Sequence, residues 1–168
     1  MIRSPLLALA LLAPAGCQQA ATQYDAAEDV RAFITAVREN DRAAFERHLD
    51  RPALRAQLLP QAKAAIAAQA GPLGAVLSER LDESVVDGVI QPESFRLMLE
   101  RSGAPARTPT AAEIATQLRV EGGGRVCLPR APGGPCAITF AQSGTGEAAV
   151  WKLVAIDATG VNISDLAK

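Results

Sequence analysis

The stretch QLRVEGGGRVCLPRAPGGPCAITFAQSGTGEAAVWKLVAID, residues 117–157, decides the fold. Four of its segments read as strands: Gln117 to Glu121, Arg125 to Leu128, Cys136 to Gln142 and Glu147 to Asp157. Between them lie Gly122-Gly123-Gly124, Pro129 to Pro135 and Ser143 to Gly146, all turn compositions. Short strands joined by turns of this kind predict an antiparallel meander. The last strand is apolar on both faces, with Val150, Val154 and Ile156 on one and Trp151, Leu153 and Ala155 on the other. That pattern predicts a sheet covered at least partly on both sides.

Upstream the period is helical. Val30, Phe33, Ile34 and Val37 fall at i, i+3, i+4 and i+7, which predicts an amphipathic helix from about Tyr24 to Glu39. Asn40-Asp41 breaks it, and Asp41 is placed to cap a second helix through Leu49, with Phe45 and Leu49 on its apolar side. Asp50-Arg51-Pro52 opens a third, because proline tolerates the first helical turn. Leu54, Leu58 and Ala62 carry its buried stripe; Pro60 is expected to bend it or end its first part at Leu59, and Gly71-Pro72 to stop it. Leu73 to Ile90, with an interruption, and Pro92 to Arg101 read as further short helices, the latter facing inward with Phe95, Met98 and Leu99. Gly103 to Thr110 reads as a proline-rich linker. Helices first and strands second predict an α+β domain, with the helices packed on a four-stranded antiparallel meander sheet.

The N-terminus carries a different message. Arg3, the apolar run Leu6 to Ala13 and the small residues Ala15 and Gly16 before Cys17 have the make-up of an export signal. Pro14-Ala15-Gly16-Cys17 resembles a bacterial lipobox, in which the cysteine is lipidated and becomes the mature N-terminus. Ordinary secretory cleavage after Ala15 and a buried helix opening a cytosolic domain are the rival readings. Cysteine parity favours lipidation: with Cys17 modified, Cys127 and Cys136 remain as an even pair for an oxidising compartment. The expected organisation is a signal peptide over residues 1–16, a tether over 17–23, one domain over 24–160 and a tail over 161–168. Gln18 after the cysteine resembles the signal for outer-membrane delivery, so the expected location is the periplasmic side of the cell envelope, anchored to the membrane by the N-terminal lipid.

Composition narrows the function. Hydrophobic residues make up 49% of the 168, enough for a real core, but aromatics are only 4%. A formal net charge of −1 lacks the basic stripe of a nucleic-acid binder, so no nucleic-acid partner is expected. The later apolar stretch Ala62 to Leu77 is interrupted by Lys63, Gln69 and Gly71-Pro72, too broken for a membrane span.

Cys127 and Cys136 flank the Pro/Gly-rich loop between the second and third strands and read as a structural disulfide; their spacing is not the C-x-x-C of redox sites. His48, the single histidine, stands between Glu46 and Asp50, where an acid could orient a base. No nucleophile motif accompanies it, and a surface role is expected. Glu83 and Asp87 share a helix face four residues apart and could hold a cation, though a solvated face is the simpler reading. The three glycines 122–124 lack the Lys-Ser/Thr of a phosphate loop and read as a turn. Asn162-Ile163-Ser164 fits a glycosylation sequon that a bacterial signal makes accidental. Asp50, Pro52 and Arg55 form a polar cluster expected to fix the junction of the second and third helices. Arg55 would pair with an acid of a neighbouring element, the alternative being a ligand-anchoring arginine.

Leu49-Asp50-Arg51-Pro52-Ala53-Leu54-Arg55, with Gln57-Leu58 after it, resembles the signature of a bacterial envelope family, domain of unknown function 2939. Arg51 stands where that family has an aromatic residue. Asn40-Asp41, Pro92-Glu93 and Trp151-Lys152-Leu153 match its turn, its proline-opened helix and its closing strand. The resemblance covers roughly Tyr24 to Ile156 and implies no catalytic residue. N-terminal helices followed by a curved sheet are also similar to the cone-shaped nuclear-transport-factor-2-like folds, which often enclose a cavity.

The expectation is therefore a non-catalytic envelope lipoprotein without cofactor or metal. It would bind a small apolar ligand, in a cavity lined by residues such as Phe33, Val37 and Trp151, or another envelope protein through an apolar surface groove. The alternative is a freely soluble periplasmic protein with a weak enzymatic activity.

Overall fold

Seven α-helices, a one-turn 3-10 helix (Gly146–Ala148) and four strands make up the described part of the computed structural model, residues 15–69, 71–101 and 105–157. The helices are α1 (Ala15–Glu39), α2 (Arg42–Arg47), α3 (Arg51–Gln69), α4 (Gly71–Glu79), α5 (Glu83–Val89), α6 (Pro92–Arg101) and α7 (Ala111–Ala115). The strands β1 (Arg119–Gly122), β2 (Arg125–Pro129), β3 (Cys136–Ser143) and β4 (Val150–Ile156) form one sheet in the order β1-β2-β3-β4, every pair antiparallel. The molecule is α+β, with its helices preceding a meander. The β1–β2 turn needs its glycines: Gly122, Gly123 and Gly124 have φ of 80°, 59° and 67°, three successive left-handed residues.

One core joins helices to sheet. Along α1 the buried residues are Ala26, Ala27, Val30, Phe33, Ala36 and Val37, a single stripe. Phe33 is the hub. Its ring centroid lies 5.4 Å from that of Phe45 on α2, 5.6 Å from Phe95 on α6 and 5.9 Å from Phe140 on β3. All four phenylalanines of the chain thus meet in one cluster. Each such pair adds about 0.5–1.5 kcal/mol beyond the area it buries. Val126, Leu153 and Trp151 complete the sheet side.

Several boundaries depart from the sequence expectation. α1 starts at Ala15, not near Tyr24, so the residues 17–23 expected to be a tether continue the helix. Gln23 is already tied to the domain, its Nε2 donating to the Leu118 carbonyl at 2.6 Å. Residues 1–14 of the expected signal peptide, and the expected tail with Asn162, lie outside the described residues. α2 ends at Arg47 instead of Leu49, because the next residues turn extended to meet the sheet. α3 runs through Pro60 without ending; Pro60 is exposed, so water can take the carbonyl that proline leaves free. Asp82 caps α5 and marks the interruption expected between Leu73 and Ile90. α7 was not expected, although Thr110-Ala111-Ala112-Glu113 has the pattern of a capping box. Arg107 and the Thr110 amide hold the Glu113 carboxyl down at about 2. Covering of the sheet on both faces is only partial: Trp151 and Leu153 are buried, while Val150, Lys152 and Val154 between them are half-buried.

The α3–α4 hairpin closes on a glycine. A Cβ at Gly74 would lie 2.5 Å from the Ile66 carbonyl oxygen and 3.1 Å from the Ala67 Cα, both rigid backbone. Gly74→Ala is therefore expected to destabilise the protein by about 1–3 kcal/mol in urea unfolding, as overpacking does. Unchanged stability would mean that α4 does not pack this closely on α3.

Candidate functional site

β4 is the most apolar strand and also the last of the sheet, so its outer row of backbone groups needs partners. Three elements supply them. On α1, Asp29 accepts the Trp151 amide at 2.8 Å, and Asp25, one turn earlier, accepts the Trp151 indole N–H at 2.9 Å. The connection between α2 and α3 lies along the strand: the Leu153 amide donates to the His48 carbonyl and the Asp50 amide to the Leu153 carbonyl, both at 2.9 Å. That makes Leu49 and Leu153 a parallel bridge. On α3, Gln57 accepts the Ile156 amide at 2.9 Å and donates to the Ile156 carbonyl at 2.6 Å.

His48 belongs to this latch and not to the surface, as the sequence suggested; it is 9% exposed. Neither of its sequence neighbours orients it. Glu46 turns to Arg51, and Asp50 caps α3 by accepting the Ala53 amide at 3.0 Å. The carboxylate facing His48 Nδ1 is Asp29, at 3.6 Å, too long for a hydrogen bond. Asp25 and Asp29 carry no motif in the sequence, and Gln57 stands out there only as part of the family signature. The carboxylates stand four apart beside the apolar stripe, but nothing local says that their partner lies 122 to 126 residues away.

The Glu83/Asp87 pair is committed elsewhere. Arg55 grips Asp87 at two points, Nε to Oδ1 at 2.7 Å and Nη2 to Oδ2, and Arg51 Nη1 adds a third contact at 3.2 Å. Glu83 lies 3.6 Å from Arg55. Guanidinium groups thus fill the place where a cation would bind. Asp50 and Arg55 take the expected structural roles at the α2–α3 junction, and Arg51 extends them by donating to Glu46 and the Ile90 carbonyl. Arg55 first, and Arg51 second, hold the Asp87 carboxyl below its ordinary range. A depressed folded value stabilises the protein above the ordinary carboxylate range, and that contribution is lost as pH falls through the folded value.

The expected cavity lining is packed solid. Phe33, Val37 and Trp151 are all buried in the core cluster. Two open surface clefts have other walls: one is bounded by Glu28, Arg31, Ala32, Thr35, Ala36, Glu39, Asp41 and Ala44, the other by Pro52, Arg55, Ala56, Leu59, Pro60 and Glu83. Apolar side chains instead emerge on the short helices packed outside α3. Val76 and Leu77 of α4 are 54% and 52% exposed, Val85 of α5 is 50% exposed, and Val89, one turn on, is also exposed. Cys127 and Cys136 are bridged, with Cα atoms 5.6 Å apart, closing the β2–β3 loop. The backbone of Cys17 lies in the first turn of α1, and no helix among the described residues is long and apolar enough to cross a membrane.

The family described as "Protein of unknown function (DUF2939)" matches residues 3–98, more than half of the chain, and the chain belongs to it. The matched segment runs from the N-terminus through most of α6 and stops before the sheet. No curated protein and no solved structure matches the chain.

Gln57 is the most separable part of the latch, because one side-chain amide makes both of its hydrogen bonds to β4. Gln57→Ala is expected to cost about 1–3 kcal/mol in denaturant unfolding, by leaving the Ile156 amide and carbonyl unpaired. A neutral substitution would mean that water satisfies this end of β4.

Proposed function

We propose that this member of the family is an exported, lipid-anchored and non-catalytic domain that docks another protein of the cell envelope. The observation that carries the reading is the exchange of cavity for surface. The four phenylalanines, Val37 and Trp151 occupy the space where a ligand would sit, and Val76, Leu77, Val85 and Val89 stand in solvent. We read the fold as nuclear-transport-factor-2-like with its interior closed. Exposed apolar side chains on neighbouring short helices are the usual mark of a protein contact, whereas a small apolar ligand needs an enclosed site.

The anchor is the other half of the proposal. Cys17, preceded by Ala15 and Gly16, takes the lipid and tethers the chain on the periplasmic side of the outer membrane. Lipid and α1 would then be continuous, because the helix reaches back to the cysteine. A domain held this way would sit close to the membrane, with little slack between anchor and core.

His48 does not favour catalysis. Its Nδ1 faces Asp29, its carbonyl is committed to Leu153, and the strand edge it helps to cover must stay in place.

Purified from native membranes, the protein is expected to begin at Cys17 with added acyl mass. A photo-reactive residue in place of Leu77 is expected to give an adduct with a second polypeptide in cells. An unmodified chain beginning at Gly16 would contradict the anchor. An apolar small molecule released on unfolding would return the ligand reading.

A further inference from the structure

The bridged cysteines lie in a cluster that the docking reading does not use. Cys136 Sγ is 3.0 Å from Glu121 Oε1 and 3.0 Å from Arg119 Nη2. The same Nη2 donates to Glu121 Oε1 at 2.9 Å, while Nη1 donates to the Gly134 carbonyl at 2.9 Å. Glu121 owes its position to an irregularity in β1: Val120 pairs with Val126 and Gly122 with Arg125, leaving Glu121 as the extra residue of a bulge. One donor atom each from Glu121, Cys127 and Cys136 lies within 4.8 Å of the other two.

We propose that, once the bridge is reduced, Cys127, Cys136 and Glu121 form a three-ligand site for a thiophilic divalent cation such as Zn²⁺, with the disulfide as the closed form of that site. Two thiolates and a carboxylate suit Zn²⁺, and three protein ligands leave its fourth tetrahedral position open. Ligand atoms around such an ion stand about 3–4 Å apart, given metal–ligand bonds of 2.0–2.3 Å. The cluster therefore needs only the parting of the two sulfurs and a small inward shift. Thiolates also select against Mg²⁺ and Ca²⁺. A positive charge already lies between Glu121 and Cys136, in the form of the Arg119 guanidinium. The Arg119 side chain is 42% exposed, so Nη2 turned away from the site would meet solvent while Nη1 kept the Gly134 carbonyl.

The exchange balances without further parts. A dithiol donor supplies two electrons and two protons, giving two cysteine thiols and the donor's own disulfide. The cation displaces both thiol protons and takes the Glu121 carboxylate as it stands. Oxidation by a disulfide withdraws the two electrons, remakes the sulfur–sulfur bond and releases the cation.

The test uses the full chain, reduced with a phosphine that is then removed, and titrated anaerobically with Co²⁺. The expected result is one Co²⁺ per chain with a thiolate-to-cobalt charge-transfer band. Zn²⁺ should displace the Co²⁺, and Zn²⁺ added to the metal-free reduced chain should release two protons. The oxidised chain should show no band. Cys136→Ser is expected to lose most of the band, and Glu121→Gln, a change at the exposed bulge of β1, to weaken Zn²⁺ binding by at least about tenfold. Absence of the band in the reduced wild type would overturn the proposal, as would Glu121→Gln binding as tightly as wild type. Loss of fold on reduction would overturn it equally, since the site needs the hairpin in place.

Discussion

An apolar strand at the edge of a sheet must have its outer backbone groups covered, and in this protein β4 imposes that requirement on everything before it. Val150–Ile156 is rich in β-branched and aromatic residues and contains a single charge, the composition of a segment that pairs with other chains when left open. Another strand would have been the simple cover. Here the cover is assembled from two helices and the connection between α2 and α3, each supplying a different kind of partner. Asp29 is a side-chain acceptor, the His48–Asp50 segment is a short stretch of backbone, and Gln57 both donates and accepts.

This arrangement accounts for features that otherwise look unrelated. α2 stops early so that the chain can run extended beside Leu153. Asp50 restarts a helix at once, and Arg51 and Arg55 on its first turns fasten α5 through Asp87. The turn between α2 and α3 is therefore held from the sheet on one side and from α5 on the other. Phe45, just before it, carries the same constraint into the phenylalanine cluster, where α1, α2, α6 and β3 meet. Helices and sheet are locked by directed hydrogen bonds at the rim and by aromatic packing at the centre, which leaves no room between them. The exposed apolar side chains lie outside this lock, on the short helices α4 and α5.

The sequence made the elements legible because their signals are local. The Gly and Pro clusters marked every turn of the meander, and the spacing of Val30, Phe33 and Val37 marked the inner face of α1. Asp50 as a cap and Arg55 as one half of an ion pair were readable for the same reason. The latch was not. Asp25, Asp29 and Gln57 are ordinary polar residues on amphipathic helices, and their partners are 99 to 126 residues away. His48 looked like a surface residue because its chain neighbours are charged, yet those charges turn to Arg51 and to the start of α3. Glu121 escaped notice because a bulge, which the strand pattern does not announce, decides where it sits.

The most direct test of this account is amide hydrogen exchange at β4 in the native protein. The Trp151, Leu153 and Ile156 amides are covered only by Asp29, the His48 carbonyl and Gln57, none of them on another strand of the sheet. All three are expected to exchange as slowly as the amides shared between β3 and β4, opening only when the whole domain unfolds. Fast exchange at these three positions, with the rest of β4 protected, would show an open edge and would contradict it.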